Sequence, residues 1–259
     1  MLYDLPDPDA QISSLVSVAP EMTPVPVYWE QPSRVKVYVD ERFPILKVER
    51  IDPDIENYLL FGIDSRSSYE ERARADSIMI VSVDNRNKCI KLTSILRDTQ
   101  VDIPGRTSPG KINSAYVFGG IGLFINTINE NFCLDIQRFA MVDMWSAEKV
   151  IDAMGGLFLR IEENEVEQLN MNLNLTNRIF SKIEKPVSHI KTAGLVLLNG
   201  RQAVAYGRIR KIGSDILRTE RQRRILTELI KQFKSTSLSS KMAVVDELVR
   251  SFETNTPKN

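Results

Sequence analysis

Aspartate and arginine residues occur together where three predicted strands begin or end. These residues are Asp64, Arg66, Arg74, Asp76, Arg97 and Asp98. Carboxylate oxygens suit Mg²⁺, which proteins usually hold through one or two carboxylates together with substrate phosphate oxygens. Arginine forks bind phosphate oxygens in pairs and stay charged at every relevant pH. The mixture therefore predicts a site for a phosphate group and a divalent cation, with surface ion pairs as the alternative for any single residue.

A second basic cluster lies between Arg208 and Arg224. Its seven basic residues are Arg208, Arg210, Lys211, Arg218, Arg221, Arg223 and Arg224. Only Asp215 and Glu220 oppose them, and seven positive minus two negative charges leave a local balance of plus five. Arg208 and Arg210 lie two apart in a predicted strand, so both side chains are expected on one face.

The helix predicted after this strand has one apolar side. At about 100° per residue, a stripe roughly 80° wide contains Arg218, Gln222, Ile225, Leu229 and Phe233. Arg218 and Gln222 are therefore expected to point toward the protein body. An inward arginine needs an anionic partner, because an unpaired buried charge is very costly. That partner is either a bound phosphate or an internal carboxylate such as Asp98 or Asp215, and the alternative for Thr219 and Gln222 is a helix capping box.

Composition narrows the chemistry further. The chain has 259 residues, one histidine and two cysteines, Cys89 and Cys133, that are far apart. This argues against zinc sites, thiol redox chemistry and Ser-His-Asp or Cys-His catalysis. Lys plus Arg and Asp plus Glu both total 34, so no overall positive field favours nucleic acid. Any basic function must be local.

Three short β-branched segments are predicted to place the first cluster. They span residues 58–63, 78–83 and 90–95, and a turn-rich segment at residues 84–88 separates the last two. An antiparallel turn there makes the third strand parallel to the first, if all three are neighbours. The acidic and basic residues then gather at the carboxyl end of strands one and three, the end where α/β sheets bind ligands.

Helices are predicted to follow these strands and to surround the sheet, which gives an α/β fold. Apolar spacing and glycine stop signals favour helices at residues 121–132, 145–154, 219–233 and 239–252. Residues 162–190 are polar and asparagine-rich, and they are interpreted as a surface excursion. The predicted divisions are a proline-rich spacer at 1–34, accessory strands at 35–55, the main domain at 56–235, and a C-terminal helix and tail at 236–259.

The ordered motifs resemble the LytR-CpsA-Psr family of bacterial cell-wall glycopolymer ligases. The resemblance runs from about Asn57 to Phe233 and rests on their combination. The motifs are Asn57 to Arg66, Arg74 to Ser77, Arg97 to Thr99, Lys111 to Tyr116, Gly119-Gly120, Leu198 to Tyr206, Arg208 to Arg210, and Gly213 to Gln222.

The resemblance implies a mixed central sheet between helices, an α-β-α sandwich, with a hydrophobic tunnel for a polyprenyl chain. It implies that Asp64 and Asp76 hold Mg²⁺. It implies pyrophosphate binding or site organisation by Arg74, Arg97, Lys111, Arg208, Arg210, Arg218 and Gln222. The residues expected to act in catalysis are Arg97, Asp98 and Arg218, and Asp98 and Asp76 are both candidates for the general base.

The implied reaction is a magnesium-dependent phosphotransfer. A glycan phosphate, such as teichoic acid or capsule, moves from a polyprenyl-pyrophosphate carrier to peptidoglycan and releases polyprenyl phosphate. The alternatives are a phosphohydrolase acting on the same lipid and a non-catalytic polyprenyl-phosphate-binding regulator. The implied location is the extracytoplasmic face of the bacterial membrane, reached through the lipid substrate and an N-terminal anchor that this sequence does not contain. No nucleic-acid partner is expected.

Overall fold

The computed structural model describes residues 37–63, 74–180, 185–212 and 214–255. Their strands are β1 (Ile55–Ile63), β2 (Ala75–Asp84), β3 (Cys89–Ile95), β4 (Gln100–Val101), β5 (Gly110–Lys111), β6 (Arg138–Val142), β7 (Leu157–Ile161), β8 (Gly194–Leu198) and β9 (Glu253–Thr254). Their helices are α1 (Ile112–Phe132), α2 (Met144–Ala153), α3 (Glu163–Phe180), α4 (Gly200–Gly207), α5 (Asp215–Ser235) and α6 (Leu238–Ser251).

The central sheet has five strands in the order β3-β2-β1-β6-β9. β2 is antiparallel to both β1 and β3, so β3 runs parallel to β1, as the sequence predicts. β6 is parallel to β1 and β9 is antiparallel to β6, which makes the sheet mixed. The predicted α/β class is confirmed, and the carboxyl ends of β1 and β3 lie at the same edge as the start of β2.

One face of this sheet packs against α1. Alternate residues of β1, Leu59, Phe61 and Ile63, are buried in a cluster with Phe124 and Ile128 of the helix. α1 is kinked at Gly119 and at Gly120, whose φ is +65°. A side chain at Gly120 would begin 2.4 Å from the carbonyl oxygen of residue 38. The two glycines therefore let an earlier segment of the chain cross the helix closely.

A second, antiparallel pair of strands, β7 and β8, forms its own core with α3, α4 and α5. Leu169 and Leu173, one turn apart on α3, are fully buried in that core. Residues 163–180 are thus helical, and the predicted surface excursion at 162–190 is wrong for them. The asparagines there bind backbone: Asn170 pairs with both polar groups of Ile190, and Asn177 does the same with Val187.

The predicted accessory strands at 35–55 are also largely wrong. Val39 forms one isolated bridge with Gly120, and no other residue of the described segment 37–54 belongs to a strand. The side chain of Asn126 binds the backbone of Leu46 and Pro44, so α1 takes the hydrogen bonds that a neighbouring strand would need. Val35 and the spacer at 1–34 lie outside the described residues.

The C-terminal segment belongs to the fold. The predicted helix is present as α6, and the tail that follows it adds β9 to the open edge of β6. α6 packs through Val244 and Leu248 against a cluster that includes Val150 of α2 and Phe233 of α5. No helix in the described part of the chain is long and apolar enough to cross a membrane.

Candidate active site

The residues at the ligand-binding end of the sheet come from three separate parts of the chain. Asp76 is the second residue of β2, and Arg97 and Asp98 follow the end of β3. The N-terminus of α1 fixes this loop, because Asn113 N donates to Arg97 O at 3.2 Å and Ile112 N donates to Thr99 O at 2.9 Å. The third part is the loop between α4 and α5 with the first turn of α5.

Asp76 lies between two of the predicted arginines. Its Oδ1 accepts a hydrogen bond from Arg97 Nη1 at 2.7 Å, and its Oδ2 lies 3.4 Å from Arg210 Nη2. The Asp76 and Arg97 side chains are about three-quarters buried, at 23% and 22% exposed, whereas Arg210 is more open at 52%. Residues that are far apart in sequence are therefore brought together around a single carboxylate.

Arg218 is the most deeply buried member of the site, with 2% exposure. Its Nη2 donates to Asp215 Oδ2 at 2.9 Å and lies 3.4 Å from the backbone oxygen of Asp76. Its Nε and Nη1 are buried and have no acceptor among the described residues. Burial lowers the pKa of Arg218, and the nearby positive charges of Arg210 and Arg97 act in the same direction.

Arg97 also has a buried nitrogen without a hydrogen-bond partner among the described residues, but only one. Its buried Nε makes no hydrogen bond to a described residue, and it lies 3.8 Å from a carboxylate oxygen of Asp98 and 3.8 Å from one of Asp215. Burial opposes the charged form of Arg97, but the hydrogen bond to Asp76 and the charges of Asp76, Asp215 and Asp98 outweigh it and raise the pKa. The guanidinium is therefore held in its charged form with one donor unused.

Asp98 and Lys111 form the exposed rim of the site. Lys111 Nζ lies 3.0 Å from Asp98 Oδ1, and both side chains are about half exposed. That hydrogen bond lowers the pKa of Asp98, against a smaller opposing effect of burial. Asp98 thus keeps its charge to lower pH than an isolated aspartate does.

The remaining predicted residues are placed less centrally. Arg208 contacts the sulfur of Met144 at the start of α2. Gln222 Nε2 lies 3.4 Å from the backbone oxygen of Gly207, so it contacts the loop before α5. Arg74 precedes β2 at the same edge and is exposed. Asp64 lies outside the described residues.

Two local predictions for this region are corrected. The chain around Arg208 and Arg210 is not a strand, because α4 continues to Gly207 and a loop follows. The capping box at Thr219 and Gln222 is not formed, because α5 already begins at Asp215 and Thr219 Oγ1 donates to Asp215 O inside the helix. The inward stripe is confirmed: Arg218 is buried, and Ile225, Leu229 and Phe233 pack against the apolar clusters.

The sequence reasoning missed Arg221, which supports the loop that carries the site arginines. Arg221 Nε donates to Glu165 Oε1 at 2.7 Å, and its other nitrogens lie 3.4 Å and 3.2 Å from the carbonyl oxygens of Ile209 and Ile212. Arg221 lies about 60° from Arg218 around the helix, so its inward direction was available in the sequence. The sequence does not indicate its partner, because Glu165 belongs to the segment that is predicted to be a surface excursion.

The fold and this site define a class of mixed α/β proteins with a cluster of arginines and carboxylates at the carboxyl ends of two parallel strands of the sheet. Residues 34–259 match the LytR_cpsA_psr family. The chain belongs to this family, which is the one its motifs resemble.

Two curated relatives illustrate the similarity. The chain is 31% identical over 212 residues to the polyisoprenyl-teichoic acid–peptidoglycan teichoic acid transferase TagU of Bacillus mycoides, covering 81% of this chain and 62% of the relative. It is 30% identical over 210 residues to the corresponding transferase TagV of Bacillus subtilis, covering 78% and 49%. The chain thus spans about half to two-thirds of the length of these relatives.

Solved structures agree with the fold. A structure described as TagT bound to LIIa-WTA superposes with a TM-score of 0.65 at 25% identity and covers 85% of this chain and 78% of that one. The crystal structure of Bacillus subtilis TagV superposes with a TM-score of 0.62 at 29% identity and covers 80% and 76%.

Proposed function

We propose that the protein transfers a glycan phosphate from a polyprenyl-pyrophosphate carrier to peptidoglycan and releases polyprenyl phosphate. Teichoic acid is the class of glycopolymer named for the relatives, and capsule or a related polymer has the same linkage chemistry. The reaction needs positioning and charge stabilisation more than a protein nucleophile. The site, built from arginines and carboxylates, suits that requirement.

The observation that carries the proposal is the state of Arg218. A guanidinium that is 2% exposed and leaves Nε and Nη1 without an acceptor among the described residues is costly, because buried donors need partners. Pyrophosphate oxygens supply such acceptors. Arg97 Nε presents the same need beside it. A dianionic group at this position would turn an unfavourable arrangement into a set of charge-assisted hydrogen bonds.

The residues present fit a Mg²⁺ ion that also uses substrate oxygens. Asp76 is a partly exposed carboxylate at the mouth, and Ile63, the residue before Asp64, pairs with Ala75, the residue before Asp76. Among the described residues, no three acidic, histidine or cysteine side chains are placed so that they could hold a metal ion together, so protein ligands there do not complete a shell by themselves. One or two carboxylates plus phosphate oxygens is the usual arrangement for Mg²⁺. When bound, the ion would supply charge neutralisation on the phosphate oxygens.

In the proposed step, a sugar hydroxyl of peptidoglycan attacks the phosphorus that carries the glycan. The new P–O bond forms as the anhydride bond breaks, and polyprenyl monophosphate leaves with the electron pair. Arg97, Arg210 and Arg218 hold the phosphate oxygens and stabilise their charge. The hydroxyl proton passes to a carboxylate. Asp98 is the more available base, because its side chain is about half exposed, whereas Asp76 is about three-quarters buried and is the proposed ligand of Mg²⁺.

The second face of the central sheet supports a place for the lipid tail. Five of its residues are apolar and only partly buried: Leu60, Val81, Val83, Leu92 and Val142. On the opposite face, apolar residues of β1, β2 and β6 are buried in the cluster that includes α1. A prenyl chain between this face and the helices would gain about 0.8 kcal/mol for each buried CH₂ group. We propose that the hydrophobic tunnel runs along this face.

The test is a transfer assay with a polyprenyl-pyrophosphate-linked glycan, a peptidoglycan oligomer and Mg²⁺. We expect a glycan-phosphate–peptidoglycan conjugate and an equal amount of polyprenyl phosphate. Free glycan phosphate at the same rate without acceptor would identify a phosphohydrolase. Tight lipid binding with no turnover at any Mg²⁺ concentration would identify a binding or regulatory protein.

The substrate also sets the proposed location. A polyprenyl carrier is held in the membrane, and peptidoglycan lies outside the cytoplasmic membrane of bacteria. We therefore propose that the protein acts at the extracytoplasmic face of that membrane. Fractionation of cells, followed by protease treatment of intact protoplasts, tests this, and protection of the protein from protease would contradict it.

A further inference from the structure

A basic groove lies between β3 and α5, and the arginines of the site are not among the residues that line it. Its volume is about 640 Å³. The charged residues that line it are Lys88, Glu220, Arg223, Arg224, Glu228, Lys231 and Lys234. Five positive and two negative side chains leave a net charge of plus three. Its floor includes apolar residues from both elements, Ile90 and Leu92 of β3 and Ile230 of α5.

The positive charges are only partly compensated. Lys231 lies 3.0 Å from Glu228 and is still 61% exposed. Neither Lys88 nor Arg223 forms an ion pair or side-chain hydrogen bond with a residue in the described ranges. The groove therefore presents a positive field to the outside, which attracts anions at its rim.

Exposed apolar side chains continue from the far end of this groove. α5 ends at Ser235 and α6 begins at Leu238, which is 77% exposed, followed one turn later by Met242 at 64%. Val245 and Val249 extend the same stripe. Lys241 Nζ donates to the backbone oxygen of Lys234 at 3.1 Å, which joins the start of α6 to the end of α5.

We propose that this surface binds an anionic phospholipid membrane. We call it the basic corner and define it by Lys88, Lys231, Lys234, Leu238 and Met242. Lysines beside a membrane are attracted to anionic headgroups, and protruding apolar side chains insert between them. A soluble polyanion would use the charges but would leave Leu238 and Met242 in water. A membrane surface uses both features, so it is the occupant that fits.

The inference deepens the proposed function and rests on it in one respect: the lipid carrier must come from a bilayer. With the basic corner on the membrane, the groove opens toward the lipid phase between Ile90, Leu92 and Ile230. A prenyl tail then has an apolar route from the membrane to the second face of the central sheet. The arginines of the site lie at the other end of α5, so the reacting phosphate is held away from the bilayer surface.

Vesicle sedimentation with the whole chain tests the proposal without any donor or acceptor substrate. The protein should bind vesicles that contain phosphatidylglycerol, should not bind pure phosphatidylcholine, and should dissociate as salt is raised. The variant Lys231→Glu with Lys234→Glu should lose on the order of tenfold or more in affinity, because each lysine near an anionic surface contributes appreciably. Lys47→Glu with Lys191→Glu, at two exposed lysines elsewhere, is the matched control and should bind normally.

A second pair of variants separates the apolar contribution. Leu238→Ser with Met242→Ser should also weaken vesicle binding, whereas Leu46→Ser with Leu175→Ser, at comparably exposed leucines, should not. Equal binding by the test and control variants overturns the proposal. So does a result in which the charge variant loses binding to a short poly(glycerol phosphate) but keeps vesicle binding, which would assign the groove to a soluble polyanion. Because these assays contain no transfer reaction, their outcome is independent of whether the proposed transferase activity is found.

Discussion

Two arginines of this protein are almost equally buried and yet differ in what surrounds them. Arg201, at 1% exposure, donates to both oxygens of Glu148 and to the backbone oxygen of Lys185. Arg218, at 2% exposure, donates to Asp215, whose side chain is partly exposed. Two other nitrogens of Arg218 have no acceptor among the described residues. The described part of the fold supplies hydrogen-bond acceptors for Arg201. It does not supply acceptors for two donors of Arg218, which are therefore available to a bound ligand.

Burial alone therefore does not distinguish a structural arginine from a binding one. Arg221 belongs with Arg201, because Glu165 and two backbone carbonyls take its donors. Arg97 belongs with Arg218, because its buried Nε has no hydrogen-bond partner in the described part of the chain. The number of unused donors is the property that separates the two groups, and it yields predictions for both.

The largest effect is expected for Arg201, whose donors bind acceptors within the protein. Arg201→Met removes the buried guanidinium that binds both oxygens of Glu148, which should reduce the free energy of unfolding by about 3–5 kcal/mol. Urea denaturation measures this loss. Turnover per folded molecule should stay at the wild-type level, because Arg201 does not belong to the site. A stability close to that of the wild type would show that the pair is not structural.

Arg218→Lys should have the opposite profile. An ammonium lacks the planar fork, so turnover should fall by about 10²–10³-fold, or about 2.7–4 kcal/mol of transition-state stabilisation. The free energy of unfolding should change little, because the side chain it replaces is poorly satisfied. Arg160→Lys, at an exposed arginine on β7, is the control for the transfer assay. Similar turnover of the two variants would remove Arg218 from the site.

A smaller effect is expected for Asp76→Asn, which should weaken the proposed binding of Mg²⁺. The amide keeps the side-chain volume but loses the charge that pairs with Arg97 and Arg210. We expect the Mg²⁺ concentration for half-maximal turnover to rise by at least about tenfold. Asp246→Asn, at an exposed ion pair on α6, is the control. An unchanged Mg²⁺ dependence would place the ion elsewhere.

The smallest effect concerns pH at the rim of the site. The Lys111 hydrogen bond lowers the pKa of Asp98 below its ordinary value of 3.8. A lowered folded-state pKa contributes stability above the unfolded-state pKa, and this contribution is lost as pH falls through the folded-state pKa. Lys111→Gln should raise the pKa of Asp98 toward its ordinary value. A carboxyl ¹³C NMR titration measures the shift, and an identical midpoint in the two proteins would rule out this role for Lys111.

Much of the site was predictable because it depends on short-range patterns. The three β-branched segments and the turn at residues 84–88 are enough to bring Asp76 and Arg97 to one edge of the sheet. There Arg97 Nη1 lies 2.7 Å from Asp76 Oδ1. The helical stripe is enough to turn Arg218 inward. These predictions succeed because strand alternation and helix periodicity act within a few residues.

The supporting structure was not predictable in the same way. The sequence of α3 is polar because it contains several asparagines. Two of them bind the backbone of residues in the segment 185–190, and no local sequence pattern reveals that contact. The sequence predicts a strand at the loop that carries Arg208 and Arg210, because two alternating arginines around Ile209 mimic strand periodicity. Ile209 is fully buried, so the alternation is real, but Arg221 holds the loop through its carbonyl groups.

β9 has a consequence for how the protein is made. Its residues Glu253 and Thr254 pair with Met141 and Ala140, and Asn255 binds the backbone of Phe139 and Gln137. A chain synthesised from its N-terminus has β1, β2, β3 and β6 ready long before β9 exists. During that interval the outer edge of β6 has open hydrogen-bonding groups, which can pair with another nascent chain. Emergence of Glu253 and Thr254 from the ribosome therefore closes this edge of β6 and ends its exposure to other nascent chains.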